Sequence, residues 1–196
     1  MSASEREFNI CTNCELIFAD KEYHLPPDEE KKRYTFHNNN IENKGYVDFL
    51  NQIILPARQL MPSRSQCLDY GCGPNPVLAK ILHSYGTICD YYDPYFFPEL
   101  NTDKKYDIVF ASECFEHFFN PAKEIENIIR VLSPNGILAI MTEFWKDEKP
   151  FSEWYYIKDP THVCFYHLKT FDHICKNFGL VQKYTDNFRV VLLSKC

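Results

Sequence analysis

The feature that most constrains this chain is a glycine turn set between an apolar run and a helical pattern. Cys67-Leu68-Asp69 leads into Tyr70-Gly71-Cys72-Gly73, and Val77 to Leu82 then places apolar residues at helical spacing. Only six glycines occur in the whole chain, and two of them fall in this turn. A strand, a Gly-x-Gly turn and a helix together present backbone N–H groups and a positive helix end, a geometry suited to a negative ligand group. Asn75 suits the N-cap and Pro76 the first helical position. A dinucleotide turn needs a third glycine at position 76, so proline there disfavours NAD. Neither a G-x-x-x-x-G-K-[ST] loop nor a G-x-S-x-G elbow is present.

Around the turn, short apolar runs alternate with helical patterns from about residue 66 to 142, the signature of βα units on a parallel sheet. The runs predict strands at Cys67 to Asp69, Thr87 to Cys89, Asp107 to Ala111 and Ile137 to Met141. Helices are expected over Val77 to Leu82 and Pro121 to Arg130. Lys169 to Asn177 reads as a last helix, closed by Gly179, and Leu180 to Tyr184 with Arg189 to Leu193 as an antiparallel edge pair. Tyr46 to Ile54 forms an amphipathic helix before Pro56. The chain therefore divides into an N-terminal appendage, 1–44, carrying a lid segment, and a main domain, 45–196.

At 196 residues with 45% hydrophobic side chains, one full core can be buried. The net charge of -6 argues against nucleic acid and anionic lipid as partners. No apolar run reaches the roughly 20 residues that span a bilayer, and the polar start MSASEREFN lacks a secretory pattern, so a cytoplasmic location is expected. Nine cysteines, an odd number spread along the chain, fit reduced thiols.

Asp93 lies roughly 20 residues past the turn, where a carboxylate reaches ribose hydroxyls. Tyr95, Phe96 and Phe97 follow as adenine surfaces, and Ser112 and Glu113 end the next strand. Taken in order, Leu68 to Gly73, Tyr92-Asp93-Pro94, Tyr106 to Val109, Glu116-His117 and Leu132 to Gly136 resemble the motif series of class I S-adenosylmethionine-dependent methyltransferases. The similarity spans about residues 45 to 195, and Lys158 to Tyr166 resembles the small methyltransferase branch.

The resemblance implies an α/β, Rossmann-like, doubly wound, mostly parallel sheet, and S-adenosylmethionine as cofactor. It carries cofactor contacts onto Asp69, Gly71, Cys72, Gly73, Asp93, Pro94, Phe96, Ser112, Glu113 and His117. The family's third glycine is Asn75 here, and too few residues separate Asp93 from Tyr106 for a full third strand and its helix. The third strand is thus expected to be short or missing, with adenine held by Phe96, Phe97 or Leu100 through packing.

Methyl transfer needs alignment and, for a protonated nucleophile, a base. His162 is the leading base or positioning residue, a structural histidine being the competing reading, with Tyr156 and Glu113 completing the catalytic set. His37, Tyr34 and Tyr46 could close as a lid. Cys11-x-x-Cys14 has the spacing of half a zinc ribbon, completed only by His24, His37 or another chain, so a metal-free degenerate knuckle is the favoured reading. The chain thus reads as a methyltransferase acting on a small-molecule acceptor. The alternatives are a degenerate methyltransferase fold serving as a binding protein and, disfavoured by Pro76, a nicotinamide oxidoreductase.

Overall fold

The computed structural model describes residues 1–36, 39–62 and 64–196. Its centre is a six-stranded sheet in the order β5-β4-β6-β7-β10-β9. The strands are β4 (Gln66–Tyr70), β5 (Ile88–Tyr92), β6 (Tyr106–Ser112), β7 (Leu132–Met141), β9 (Leu180–Thr185) and β10 (Val190–Lys195). The first four run parallel, and β10 pairs antiparallel with both β7 and β9. This is the expected mostly parallel sheet with its antiparallel C-terminal pair. β4 lies between β5 and β6, so the order reverses beside it and a crevice opens at the carboxyl ends.

Between β5 and β6 the described residues hold no further strand, only an isolated bridge of Asp93 with Phe97. The missing third strand leaves β5 at the sheet edge, with Ile88 and Tyr91 exposed.

Helices cover both faces, as the near-continuous burial of β6 and β7 requires. On one face α2 (Lys44–Gln59) packs Leu50, Ile53, Ile54 and Ala57 with Val77, Ile81 and Leu82 of α3 (Val77–Ser84). The Asn43 side chain caps α2, which runs through Pro56 instead of stopping there. Proline removes one donor, and the buried apolar face holds the last turn in place. On the other face α4 (Pro121–Val131) and α5 (Leu168–Phe178) complete the larger core. Asn120 caps α4, and Gly179, with φ of 64°, ends α5.

The N-terminal segment is bound into this body. Strands β1 (Ser2–Ala3), β2 (Arg6–Ile10) and β3 (Ile17–Ala19) form a second sheet whose fourth member is β8 (Cys164–Phe165), from the main domain. Phe8, Ile17 and Ala19 share one core with Leu68, Val109 and Phe115. A boundary at residue 44 therefore marks chain order and not separate cores. Cys11 and Cys14 occupy the turn between β2 and β3, and α1 (Pro27–Tyr34) follows.

Candidate active site

A cavity of about 600 Å³ opens at the carboxyl ends of β4 and β6 and reaches from the glycine turn to His162. At the first end, Gly71 and Gly73 have φ of 77° and 67°, backbone that favours glycine. Their reasons differ. A Cβ on Gly71 would stand 2.7 Å from the Cys114 Cβ, whereas above Gly73 nothing lies within 4 Å. Gly71 thus admits a protein neighbour, and Gly73 leaves open space for a ligand.

The turn does not offer free amides to an anion. Gly71 and Cys72 donate to the Tyr92 carbonyl at 2.8 and 3.1 Å, and Gly73 donates to Asp93 Oδ2 at 2.9 Å. Nor does Asn75 cap α3. Pro76 takes the cap position, and the first-turn amide of Ala79 donates to Asp69 Oδ2 at 3.3 Å. Asn75 instead donates to the Asn39 carbonyl at 2.7 Å. A carboxylate from β4 faces the positive helix end, so the electrostatics of this end suit a cation. Burial raises the Asp69 carboxyl to about 7, Asp93 adding to the rise and the Ala79 amide opposing it. Asp93 is itself buried, and its Oδ1 accepts from the amides of Tyr95 and Phe96 at 2.9 and 3.1 Å.

At the opposite end Glu113 sits just past β6 with φ of 49°, its amide donating to the Met141 carbonyl at 2.7 Å. A non-glycine residue in this region stores strain of the kind that collects at functional sites. Tyr156 donates its hydroxyl to Glu116 Oε1 at 2.7 Å and lies 3.3 Å from Glu113 Oε2. Burial, with the nearby Glu116 charge, pushes Glu113 well above the usual carboxylate range. Ser112 Oγ, Glu113 Oε1 and Glu116 Oε2 are buried without a hydrogen-bond partner among the described residues. Such groups are costly unless a ligand completes them.

His162 donates Nδ1–H to the Tyr156 carbonyl at 2.8 Å. A carbonyl can only accept, so the neutral ring keeps its lone pair on Nε2. Burial lowers His162 to about 4, which keeps it neutral near pH 7.

The loop that bears His162 is framed from the N-terminal segment. The buried Arg6 guanidinium donates to the carbonyls of Ile157, Asp159, Pro160 and His162. Arg33 of α1 meets the Asp159 carboxylate in a two-bond fork at 2.8 and 3.0 Å. Glu143 ties the preceding segment to the sheet by accepting from Trp154, Tyr155 and Arg189. Over the cavity, Glu30 of α1 accepts from the hydroxyls of Tyr34 and Tyr95.

Residues 42–182 match a family described as a methyltransferase domain, most of the chain. The chain belongs to the methyltransferase domain family. Among solved structures, this methyltransferase-family chain is similar to the complex of the Haloferax volcanii Trm112 methyltransferase activator with a putative methyltransferase. There the TM-score is 0.59 at 15% identity, covering 87% of this chain and 99% of that one. The plantazolicin methyltransferase BpumL, solved with a monoazolic desmethylPZN analog and S-adenosylhomocysteine, gives a TM-score of 0.56 at 16% identity, covering 86% and 91%. An O-methyltransferase family protein from Burkholderia thailandensis gives 0.54 at 11% identity, covering 85% of this chain and 62% of that one. The chain thus spans about three fifths of the Burkholderia protein's length. No curated protein matches it.

These likenesses show the methyltransferase fold, and the cavity lies at its switch point. Of the residues singled out in the sequence, Asp69, Gly71, Cys72, Gly73, Asp93, Pro94, Ser112, Glu113, His117 and His162 all line the cavity. Phe96 does not line it. Its half-buried ring instead meets Lys31, whose Nζ lies 5.6 Å from the ring centre, in the segment turned by the bridge of Asp93 with Phe97. Tyr156 stands behind the lining, orienting two carboxylates. Tyr34 and Tyr46 line the cavity, while His37 lies outside the described residues. Glu30 and Arg6 were not legible as site residues. Only the Glu30-to-Tyr34 helical spacing hinted at a pairing.

The cavity suits a cationic cofactor. Its lining carries the carboxyls of Glu30, Asp69, Asp93, Glu113, Glu116 and Glu124 against one lysine, Lys123. The open cradle above Gly73 and the unpartnered Ser112 and Glu113 atoms fit S-adenosylmethionine, which has an ammonium and a sulfonium.

No helix among the described residues is long and apolar enough to cross a membrane.

Proposed function

We propose that this chain transfers a methyl group from S-adenosylmethionine to a small-molecule acceptor. The observation that carries the reading is the continuous cavity lined both by the glycine turn and by His162. The bound cofactor would supply a methyl already activated on a sulfonium. Asp69 and Asp93 would hold its ammonium and ribose, and Gly73 would let it approach the backbone. Ser112 and Glu113 would meet it from the end of β6.

The protein's remaining task is alignment and proton handling. The neutral Nε2 of His162 takes a hydrogen bond, and then the proton, from the acceptor's nucleophilic atom. Tyr156, donating to Glu116 and lying 3.3 Å from Glu113, keeps the two carboxyl groups of that region ordered. An acidic cavity of about 600 Å³ matches a small acceptor better than a polyanion, since its lining among the described residues has one lysine to bind phosphate. Nine unpaired cysteines fit the reducing cytoplasm.

Thermal melting with S-adenosylhomocysteine tests the reading. The ligand should raise the melting temperature, NAD should not, and Asp93→Ala should abolish the shift. A shift that survives Asp93→Ala overturns the ribose assignment. His162→Ala should then leave the shift intact while acceptor turnover falls about 10²–10⁴-fold, the range of one lost base.

A further inference from the structure

Glu116, His117 and His162 bring one ligating atom each to within 4.8 Å of the others. The arrangement around them is specific. His117 donates Nδ1–H to the Thr161 carbonyl at 3.0 Å, as His162 does to the Tyr156 carbonyl at 2.8 Å. Each ring, when neutral, therefore has its lone pair on Nε2. The rings stand edge to face with centroids 4.9 Å apart. His117 Nε2 lies 4.0 Å from Glu116 Oε1, which already accepts from Tyr156. Glu116 is wholly buried, and its second oxygen has no partner among the described residues.

Two imidazoles and a buried carboxylate thus bring their ligating atoms into one small cluster. All are electron-pair donors, so their mutual approach is unfavourable until a positive centre lies between them. The histidines are also prepared as ligands usually are, the far nitrogen fixed by a carbonyl so that the near one points inward. Bonds of about 2.0–2.1 Å to a divalent ion set donors about 3.0–3.4 Å apart, so the cluster has to contract by a small side-chain movement.

We propose that Glu116, His117 and His162 form a binding site for a divalent transition ion of the zinc class. Two imidazoles and one carboxylate suit such an ion better than magnesium or calcium, which favour all-oxygen shells. Three protein ligands leave a coordination position open toward the cavity, where an acceptor oxygen or amine can bind. That use of the open position rests on the acceptor reading above, whereas binding of the ion does not. An ion bound there would engage the Nε2 lone pair of His162, so the base role proposed above belongs to the metal-free site.

The test titrates the full chain, stripped with a chelator, with Co²⁺ while the visible spectrum is read. One equivalent should produce the ligand-field bands of nitrogen and oxygen coordination, and Zn²⁺ should displace it. Coordination at Cys11 and Cys14 would instead give a thiolate charge-transfer band in the near ultraviolet. His162→Gln and His117→Gln should each weaken binding at least ~100-fold, since losing only an outer-shell partner already costs 10–100-fold. Cooperative thermal unfolding of each variant without ligand, beside a parent-like far-ultraviolet circular dichroism spectrum, reports that it has folded. The proposal fails if stoichiometric Co²⁺ gives no bands or only thiolate bands, or if folded His162→Gln or His117→Gln binds Co²⁺ as tightly as the parent. Those results leave the methyltransferase reading standing if the melting shift persists. Tight Co²⁺ binding with no melting shift would sustain the metal site and sink the cofactor assignment.

Discussion

The two ends of the cavity are built in different ways. One end is local: Asp69, Gly71, Gly73 and Asp93 all sit within 25 consecutive positions, at or just past the carboxyl ends of two adjacent parallel strands. The acceptor end is assembled from distant segments. Glu116 and His117 follow β6, His162 lies on a later loop, and that loop is gripped by Arg6 and Arg33 from the first part of the chain. A local end can be kept by a motif, while a remote end depends on packing and can change its acceptor without disturbing the cofactor. The N-terminal sheet and α1 act as the frame of the loop that bears His162.

The largest test of this contrast is Arg6→Ala. Four carbonyls would lose a buried charged donor, for a destabilisation of about 3–5 kcal/mol in chemical denaturation. Among surviving molecules, acceptor turnover should fall further than the S-adenosylhomocysteine melting response. Equal losses of both would show that the frame serves the whole molecule.

Next come the two glycines. Gly71→Ala meets Cys114 at 2.7 Å on left-handed backbone and should cost about 3 kcal/mol of stability. Gly73→Ala, with open space above it, should cost only about 1 kcal/mol yet weaken S-adenosylhomocysteine binding more strongly than that. Calorimetric titration beside melting separates the two, and a Gly73→Ala protein that binds normally would remove the cradle from the cofactor end.

A smaller effect is carried by pH. The folded Asp69 carboxyl, at about 7, lies above its ordinary value of 3.8, so the unliganded protein loses stability as pH rises from about 4 to about 7. A ligand ammonium favours the ionised form, so binding releases a proton and weakens by about tenfold per pH unit below 7. Asp69→Asn should flatten both slopes, as melting across pH 5 to 8 would reveal.

The smallest change expected is from Arg33→Ala. The fork to Asp159 is partly exposed, and its loss should cost about 1 kcal/mol or less. Its mark should be a raised KM for the acceptor with the cofactor melting shift unchanged.

The parallel strands, the antiparallel C-terminal pair and the missing third strand were legible because strand burial writes apolar runs and chain length limits what fits between them. The lining positions of Asp69, Gly73 and Asp93 were legible for the same local reason, since each lies at or just past the end of a strand. The role of the turn was misread, because its amides bond to Tyr92 and Asp93, partners that only the β4 to β5 pairing supplies. Phe96 was misplaced because the bridge of Asp93 with Phe97 redirects its side chain.

The sequence by itself determined the strands of the sheet, the order of its motifs and the position of the glycine turn, since these follow from periodicity, spacing and backbone freedom within short stretches. Tertiary structure alone decided the acceptor end. The meeting of Glu116, His117 and His162, the four carbonyls around Arg6 and the shared sheet of β3 with β8 join residues as far as 156 positions apart. Contacts at that separation leave no period in the chain, because they arise from burial against a core that must first exist.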